Sequence, residues 1–180
     1  MTAPNASGPT PAGLGARVVA LVGAVAALLA LSLPWAREDN TFTLQGQLLP
    51  AEALIARGGD EWTGWGIAAA SRLDGHRPVA IAVAMVIITG TVVVAGIAWA
   101  AFERPRRIWV APAAAGVALL LFAASFPLLS GVPGRFGPGH ITSVEFGVAV
   151  WRLALAIVVV GATRLALLQE AVRPSRRTYQ

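Results

Sequence analysis

Arg152 is the residue whose position most suggests chemistry, because it lies well inside a long apolar stretch near the end of the chain. A cation in hydrocarbon is costly, so intramembrane arginines are usually paired or functional. One interpretation is that Arg152 faces the other helices and binds an anionic lipid or an outer-loop carboxylate such as Glu145. The other is that its long side chain reaches back to the membrane interface, as Arg164 would do at the opposite end of the same stretch. The sequence leaves both interpretations open.

Histidines and serines offer no second candidate site. A zinc site needs three or four converging ligands, and His76 and His140 show no recognisable ligand spacing. The chain has no cysteine, which excludes thiolate metal sites and thiol catalysis. The serines have no nucleophile-elbow context, and no phosphate-binding glycine pattern follows a strand. The sequence therefore predicts no catalytic residue, no metal and no cofactor.

The composition indicates that lipid surrounds most of this chain. Of its 180 residues, 56% are hydrophobic and 13% are charged, whereas about 25% of the residues of an ordinary soluble domain are charged. All 14 basic residues are arginines. Together with the abundance of Ala, Gly and Val, this favours a GC-rich bacterial genome, and we expect an actinobacterial source.

Four apolar stretches are long enough to cross a bilayer, which takes about 20 residues of helix for a hydrocarbon core of ~30 Å. No Asp, Glu or Lys lies inside them. Because no small-residue cleavage site follows the first stretch, we interpret it as a retained span and not as a signal peptide. The predicted fold is an all-α membrane protein, a four-transmembrane-helix bundle. Its predicted segments are a flexible N-terminus at 1–13, helices at 14–35, 79–101, 108–130 and 146–168, outer loops at 36–78 and 131–145, and a basic tail at 169–180.

The arginines predict the orientation of the bundle, because basic residues are retained on the cytoplasmic side. The side with the outer loops carries five arginines and seven acidic residues. The side with both termini carries two glutamates and eight arginines, namely Arg17, Arg104, Arg106, Arg107, Arg164, Arg173, Arg176 and Arg177. We therefore expect a multi-pass protein of the bacterial plasma membrane with both termini in the cytoplasm. The positive charge needs no nucleic acid partner to explain it.

Tryptophans mark the ends of the predicted spans. Trp35, Trp99, Trp109 and Trp151 each fall within a few residues of a span end. Because the indole ring prefers the headgroup level, we expect all four to lie at the membrane interface and not in the core of the bundle.

The first outer loop is predicted to be partly structured. Alternation over 41–45 favours a short strand or hairpin arm, with which 141–144 could pair. A two-turn helix is predicted at 50–57, since a proline and an early acid precede a late base and glycines. A second helix is predicted at 61–73, with Trp62 and Trp65 facing the lipid headgroups.

Small residues recur at helical spacing in the spans, which lets helix backbones approach closely in lipid. We interpret these rows as packing the four helices together, with contact to another membrane protein as the alternative. The rows are Ala16, Ala20 and Ala24; Gly23 and Ala27; Ala80 and Ala84; Ala114 and Ala118.

Leu33, Pro34 and Trp35 at the end of the first span, followed by a Thr-rich outer segment, resemble small actinobacterial four-span membrane proteins without an assigned activity. One such group is the tryptophan-operon-associated conserved membrane family. The resemblance covers the topology and a handful of residues, and the 62–73 stretch departs from it. It implies no catalytic residue and favours an accessory role. Claudin-like proteins share the architecture, but their Gly-Leu-Trp and paired Cys pattern is missing here.

The sequence thus favours a non-catalytic integral membrane accessory or interaction protein. Its expected partners are membrane lipids and another membrane protein or complex, with Trp62, Trp65 and Arg152 as candidate contacts. The alternative is a small-molecule or lipid carrier with a cavity between the helices, in which Arg152 contacts an anion.

Overall fold

The computed structural model describes residues 11–38, 43–44, 47–48, 60–69, 78–104, 107–130 and 143–171. Its four long helices are each long and apolar enough to cross a membrane, which confirms the predicted all-α, four-helix membrane fold. The helices are α1 (Pro11–Ala30), α2 (Gly64–Ala69), α3 (Pro78–Glu103), α4 (Val110–Ser130) and α5 (Phe146–Ala171), and the strands are β1 (Pro34–Glu38), β2 (Thr43–Leu44), β3 (Gln47–Leu48), β4 (Asp60–Thr63) and β5 (Ser143–Val144). The predicted helix at 50–57 lies outside the described residues.

The four long helices form a closed ring in the order α1, α5, α4, α3, and each contacts the next. The start of α1, the connection between α3 and α4 and the end of α5 lie together, where a cluster joins Ala16, Ala101, Val110 and Leu165. We call this the hairpin end. The strands β1, β4 and β5 and the helix α2 lie at the opposite end, which we call the cap.

The tightest contact in the bundle joins α1 and α5, which run antiparallel with their backbones nearly touching. A Cβ added at Gly23 would stand 2.8 Å from the backbone nitrogen of Val158, and one at Gly161 would stand 2.5 Å from that of Ala20. On α1 the row of Ala16, Ala20 and Ala24 is buried. The predicted small-residue rows of α1 therefore pack the bundle itself, as do Ala114 and Ala118 on α4, which are also buried.

The first span ends earlier than predicted. Helix α1 stops at Ala30, and Pro34 begins β1 instead of closing the helix. Proline favours extended backbone in the residue before it. The indole Nε1–H of Trp35 donates to the Ala30 carbonyl at 2.7 Å, which also accepts the Leu33 N–H at 3.2 Å. Both bonds go to a carbonyl at the helix C-terminus, where the next helical turn supplies no donor.

The cap contains a three-stranded sheet in the order β4, β1, β5. The predicted pairing of 141–144 with 41–45 is wrong, because β5 pairs with Ala36 and Arg37 of β1. β1 follows α1 and β5 precedes α5, so the α1–α5 contact brings these two strands together. The predicted strand at 41–45 exists as β2, but its partner is the neighbouring β3.

The segment around the two cap tryptophans also differs from the expected helix at 61–73. Residues 60–63 form β4, which carries Trp62, and only Gly64–Ala69 are helical in the described part of that range. The hydroxyl of Thr63 accepts the Gly66 N–H at 2.9 Å, as a helix N-cap does. Trp62 and Trp65 therefore belong to different elements.

Two of the four span-end tryptophans are not at the interface. Trp35 and Trp151 are buried in the main core cluster, so their predicted position was wrong. Each side chain is buried, and each N–H has a hydrogen-bond acceptor inside the protein. Trp99 and Trp109 are exposed on the bundle surface near the hairpin end, as an interfacial tryptophan would be.

The glycines provide a test of the α1–α5 contact. We expect Gly161→Ala and Gly23→Ala each to lower the free energy of unfolding by about 1–3 kcal/mol, because the new methyl groups overlap backbone atoms. Gly96→Ala and Gly116→Ala are matched controls, since an added Cβ meets nothing within 4 Å there. These controls should be neutral or slightly stabilising, because alanine is the better helix former. Unfolding in mixed detergent micelles measures the difference, and equal effects at all four sites would contradict the close approach.

Candidate functional site

A buried hydrogen-bonded group lies beneath the cap and joins α3 to α5. The Trp151 side chain is fully buried, and its Nε1–H donates to the hydroxyl oxygen of Thr91 at 3.0 Å. That hydroxyl donates in turn to the Ile87 carbonyl at 2.7 Å. Thr91 thus accepts one bond and donates another, which satisfies its hydroxyl and the indole N–H in a setting without water.

The same tryptophan connects the bundle to the cap. The rings of Trp35 and Trp151 meet edge to face with their centroids 5.4 Å apart, a favourable aromatic geometry. The Glu145 N–H donates to the Trp35 carbonyl at 3.0 Å, and a Cβ at Gly147 would overlap Pro34 and the Trp35 ring. These contacts fix the cap sheet against the first turn of α5.

The candidate partner residues Trp62 and Trp65 lie on the cap, three positions apart. The Trp62 backbone faces Ala36 of β1 across the sheet, and its side chain is partly buried. The Trp65 N–H donates to the Leu31 carbonyl at 3.4 Å, which holds the start of α2 over the end of α1. The Trp65 side chain is 41% exposed. The structure therefore fixes the backbone of α2 while presenting one large aromatic ring outward.

The third candidate, Arg152, lies apart from these two, between α5 and α4. Its Nε–H donates to the hydroxyl of Ser125 at 2.9 Å, and an Nη2–H donates to the Ser125 carbonyl at 3.1 Å. The guanidinium carbon stands 4.1 Å from the centre of the Phe126 ring, which is a cation–π geometry. Arg152 thus bonds to the neighbouring helix α4. These contacts match neither of the two expectations, an extension toward the membrane interface or a bond to Glu145.

Two polar residues of this interior, Thr91 and Ser125, were not identified as contacts from the sequence. Both are fully buried. Thr91 shares a helix face with Ile87, Val94 and Ala98, all buried, so its i, i+4 spacing from Ile87 is the signal that marks it as inward-facing. Ser125 has a weaker signal: its hydroxyl donates to the Phe122 carbonyl of its own helix at 2.6 Å, and its contact with Arg152 involves another helix.

Metal ligands do not gather in the described part of the chain, where no group of three or more His, Cys, Asp or Glu side chains converges. His76 and His140 lie outside the described residues. Comparison with protein-family models, curated proteins and solved structures found no match to this chain. Its function has to follow from its own residues.

The hydroxyl of Thr91 can be tested by a conservative pair of variants. We expect Thr91→Val to lower the free energy of unfolding by about 1–3 kcal/mol, because it leaves the buried Trp151 N–H without an acceptor. Thr91→Ser keeps the hydroxyl and should retain most of that stability. Unfolding in mixed micelles gives both values, and a Thr91→Val variant as stable as the wild type would show that the bond contributes nothing.

Proposed function

We propose that this protein is a non-catalytic accessory or interaction protein of the bacterial plasma membrane, and that its cap binds another membrane component through the surface around Trp65. One observation supports this most. The cap is a folded unit, assembled from segments at 34–38, 60–69 and 143–144 and attached to the bundle core by buried aromatic contacts.

The construction of the cap favours binding over simple connection. Antiparallel helices need only a few residues to connect them, and ordering a longer segment costs conformational entropy for every residue. Here β4 and α2 are held by the ladder to β1 and by the bond from Trp65 to Leu31. Tryptophan is enriched at protein interfaces and among their energetically dominant residues. An exposed Trp65 on an ordered backbone is therefore suited to contact a partner.

The proposed orientation places the cap outside the cell and the hairpin end in the cytoplasm. The exposed or partly exposed arginines at the described hairpin end are Arg17, Arg104, Arg107 and Arg164. Basic residues at one end of a bundle favour retention of that end in the cytoplasm. This orientation puts the proposed contact surface in the extracytoplasmic space. The resemblance to small actinobacterial four-span proteins stays a prediction that agrees with an accessory role.

The carrier alternative requires a cavity between the helices. Large side chains occupy the described interior instead: Trp151, Leu155 and Val158 of α5 are fully buried and cluster with Ile87 and Val94 of α3. A substrate that passed between the helices would have to displace these side chains. Arg152 contacts the lipid-facing Phe126, so it lies toward the outside of the bundle. We therefore favour the accessory function.

Purification in mild detergent with a matched pair of tryptophan variants tests this function. We expect the wild type to retain a partner protein in stoichiometric amount and Trp65→Ala to reduce that retention at least ten-fold, since truncating a dominant interface tryptophan costs about 2 kcal/mol or more. Trp109→Ala removes an exposed tryptophan from the hairpin end and should retain the partner fully.

Two outcomes would contradict the proposal. One is that the wild-type protein, crosslinked in cells before purification, is recovered with lipid and without any partner protein. The other is a partner retained equally by both tryptophan variants. Melting temperatures of the two variants, measured in the same detergent, separate a lost contact from a lost fold.

A further inference from the structure

Arg152 is held in an unusual way for an arginine inside a membrane span. It lies six residues after the start of α5, or ~9 Å along the helix axis at 1.5 Å per residue. An arginine at that depth commonly extends toward the interface. Here two bonds to Ser125 and the Phe126 ring hold the guanidinium against α4 instead.

Two hydrogen bonds of this guanidinium go to Ser125, and both Ser125 acceptors are neutral. The loop that follows α4 contains no Asp or Glu at 131–144. A cation in a span normally has a counter-charge or a path to water, and an anion at the unused N–H groups would supply the counter-charge.

The free side of the guanidinium determines how an anion would approach. Of its five N–H donors, two are used by Ser125, which leaves three. On one side the Phe126 ring centre lies 4.1 Å from the guanidinium carbon. An anion therefore meets the remaining N–H groups in the guanidinium plane, the arrangement in which arginine binds phosphate through two parallel bonds.

The surroundings of Arg152 face lipid. Leu153 beside it is 64% exposed and Phe126 is 49% exposed on the bundle surface. Arg152 itself is partly buried, with its guanidinium against Ser125 and Phe126 of α4. An anion that carries its own acyl chains can reach this guanidinium from the bilayer, whereas a soluble anion would have to leave water for hydrocarbon.

We propose that Arg152 binds the phosphodiester of an anionic phospholipid from the leaflet at the cap, at the surface where α4 and α5 meet. Ser125 and Phe126 position the guanidinium, and the acyl chains lie along the apolar surfaces of the two helices. This site is separate from the Trp65 surface and goes beyond the proposed function, so either can fail without the other.

Native mass spectrometry of the delipidated full chain, titrated with phosphatidylglycerol, tests the site. We expect Arg152→Gln to weaken the first binding event at least five-fold. Arg164→Gln removes the same charge from an exposed position on the same helix and should change that event less than two-fold. Equal effects of the two variants, or no effect of Arg152→Gln, would overturn the proposal.

Two further arms identify the source of the phosphate. Phosphatidylcholine with the same acyl chains has the same phosphodiester, but its choline cation offsets the phosphate charge. It should therefore bind at least five-fold more weakly to the wild type than phosphatidylglycerol does, and equal binding would overturn the proposal. Inorganic phosphate in millimolar excess should not displace the lipid, and displacement would assign the site to a free anion instead.

If Arg152→Gln fails to fold, as a melting curve in detergent would reveal, Arg152→Lys decides the question. Lysine keeps the charge but lacks the planar fork that contacts Ser125 and a phosphate together. We expect at least a two-fold loss of phosphatidylglycerol binding, and unchanged binding would contradict the proposed geometry.

Discussion

The close approach of α1 and α5 is the constraint on which the rest of the structure depends. Lipid tails are as apolar as leucine, so helices in a bilayer gain little by hiding apolar side chains from lipid and associate through packing. Gly23 and Gly161 allow the two backbones to meet, as the contacts of an added Cβ with Val158 and Ala20 make clear. Larger residues there would separate the first and last spans of the chain.

The cap follows from that contact. β1 leaves the end of α1 and β5 enters the start of α5, so the two strands lie side by side once the helices do. β4 then adds to the free edge of β1. The Trp35 and Trp151 rings fill the space where sheet and bundle meet, and Thr91 provides the acceptor that a buried indole N–H requires. The position of α2, which follows β4 and carries Trp65, thus depends on contacts that begin in the bundle.

The membrane-spanning helices could be predicted from the sequence, because they depend on the lipid that surrounds them. Four apolar stretches without carboxylates are sufficient to identify four spans, and each predicted helix agrees with the observed one to within a few residues except at 31–35. There Pro34 redirects the chain into a strand. That deviation is accompanied by the hydrogen bond from Trp35 to the Ala30 carbonyl. The length of an apolar stretch does not reveal such a contact.

Contacts between distant segments were less accessible to prediction. A tryptophan near a span end is equally compatible with the headgroup layer and with a helix interface, so Trp151 was assigned to the wrong one. Strand alternation at 41–45 identified a strand but not its partner, which is the adjacent β3. The pairing of β5 with β1 depends on the α1–α5 contact, which strand alternation does not reveal. Arg152 was recognised as exceptional from its position alone, whereas Ser125 became its partner only once α4 and α5 were placed together.

Cysteine labelling in intact cells tests most directly whether the four helices are complete crossings with the cap outside. The chain contains no cysteine, so single substitutions report one site each. Arg37→Cys lies in the exposed cap and Glu103→Cys in the exposed hairpin end, and neither weakens the positive-inside bias. A membrane-impermeant maleimide should label Arg37→Cys in intact cells and Glu103→Cys only after lysis. Labelling of Glu103→Cys in intact cells would contradict the proposed topology and remove the basis for an extracytoplasmic contact surface.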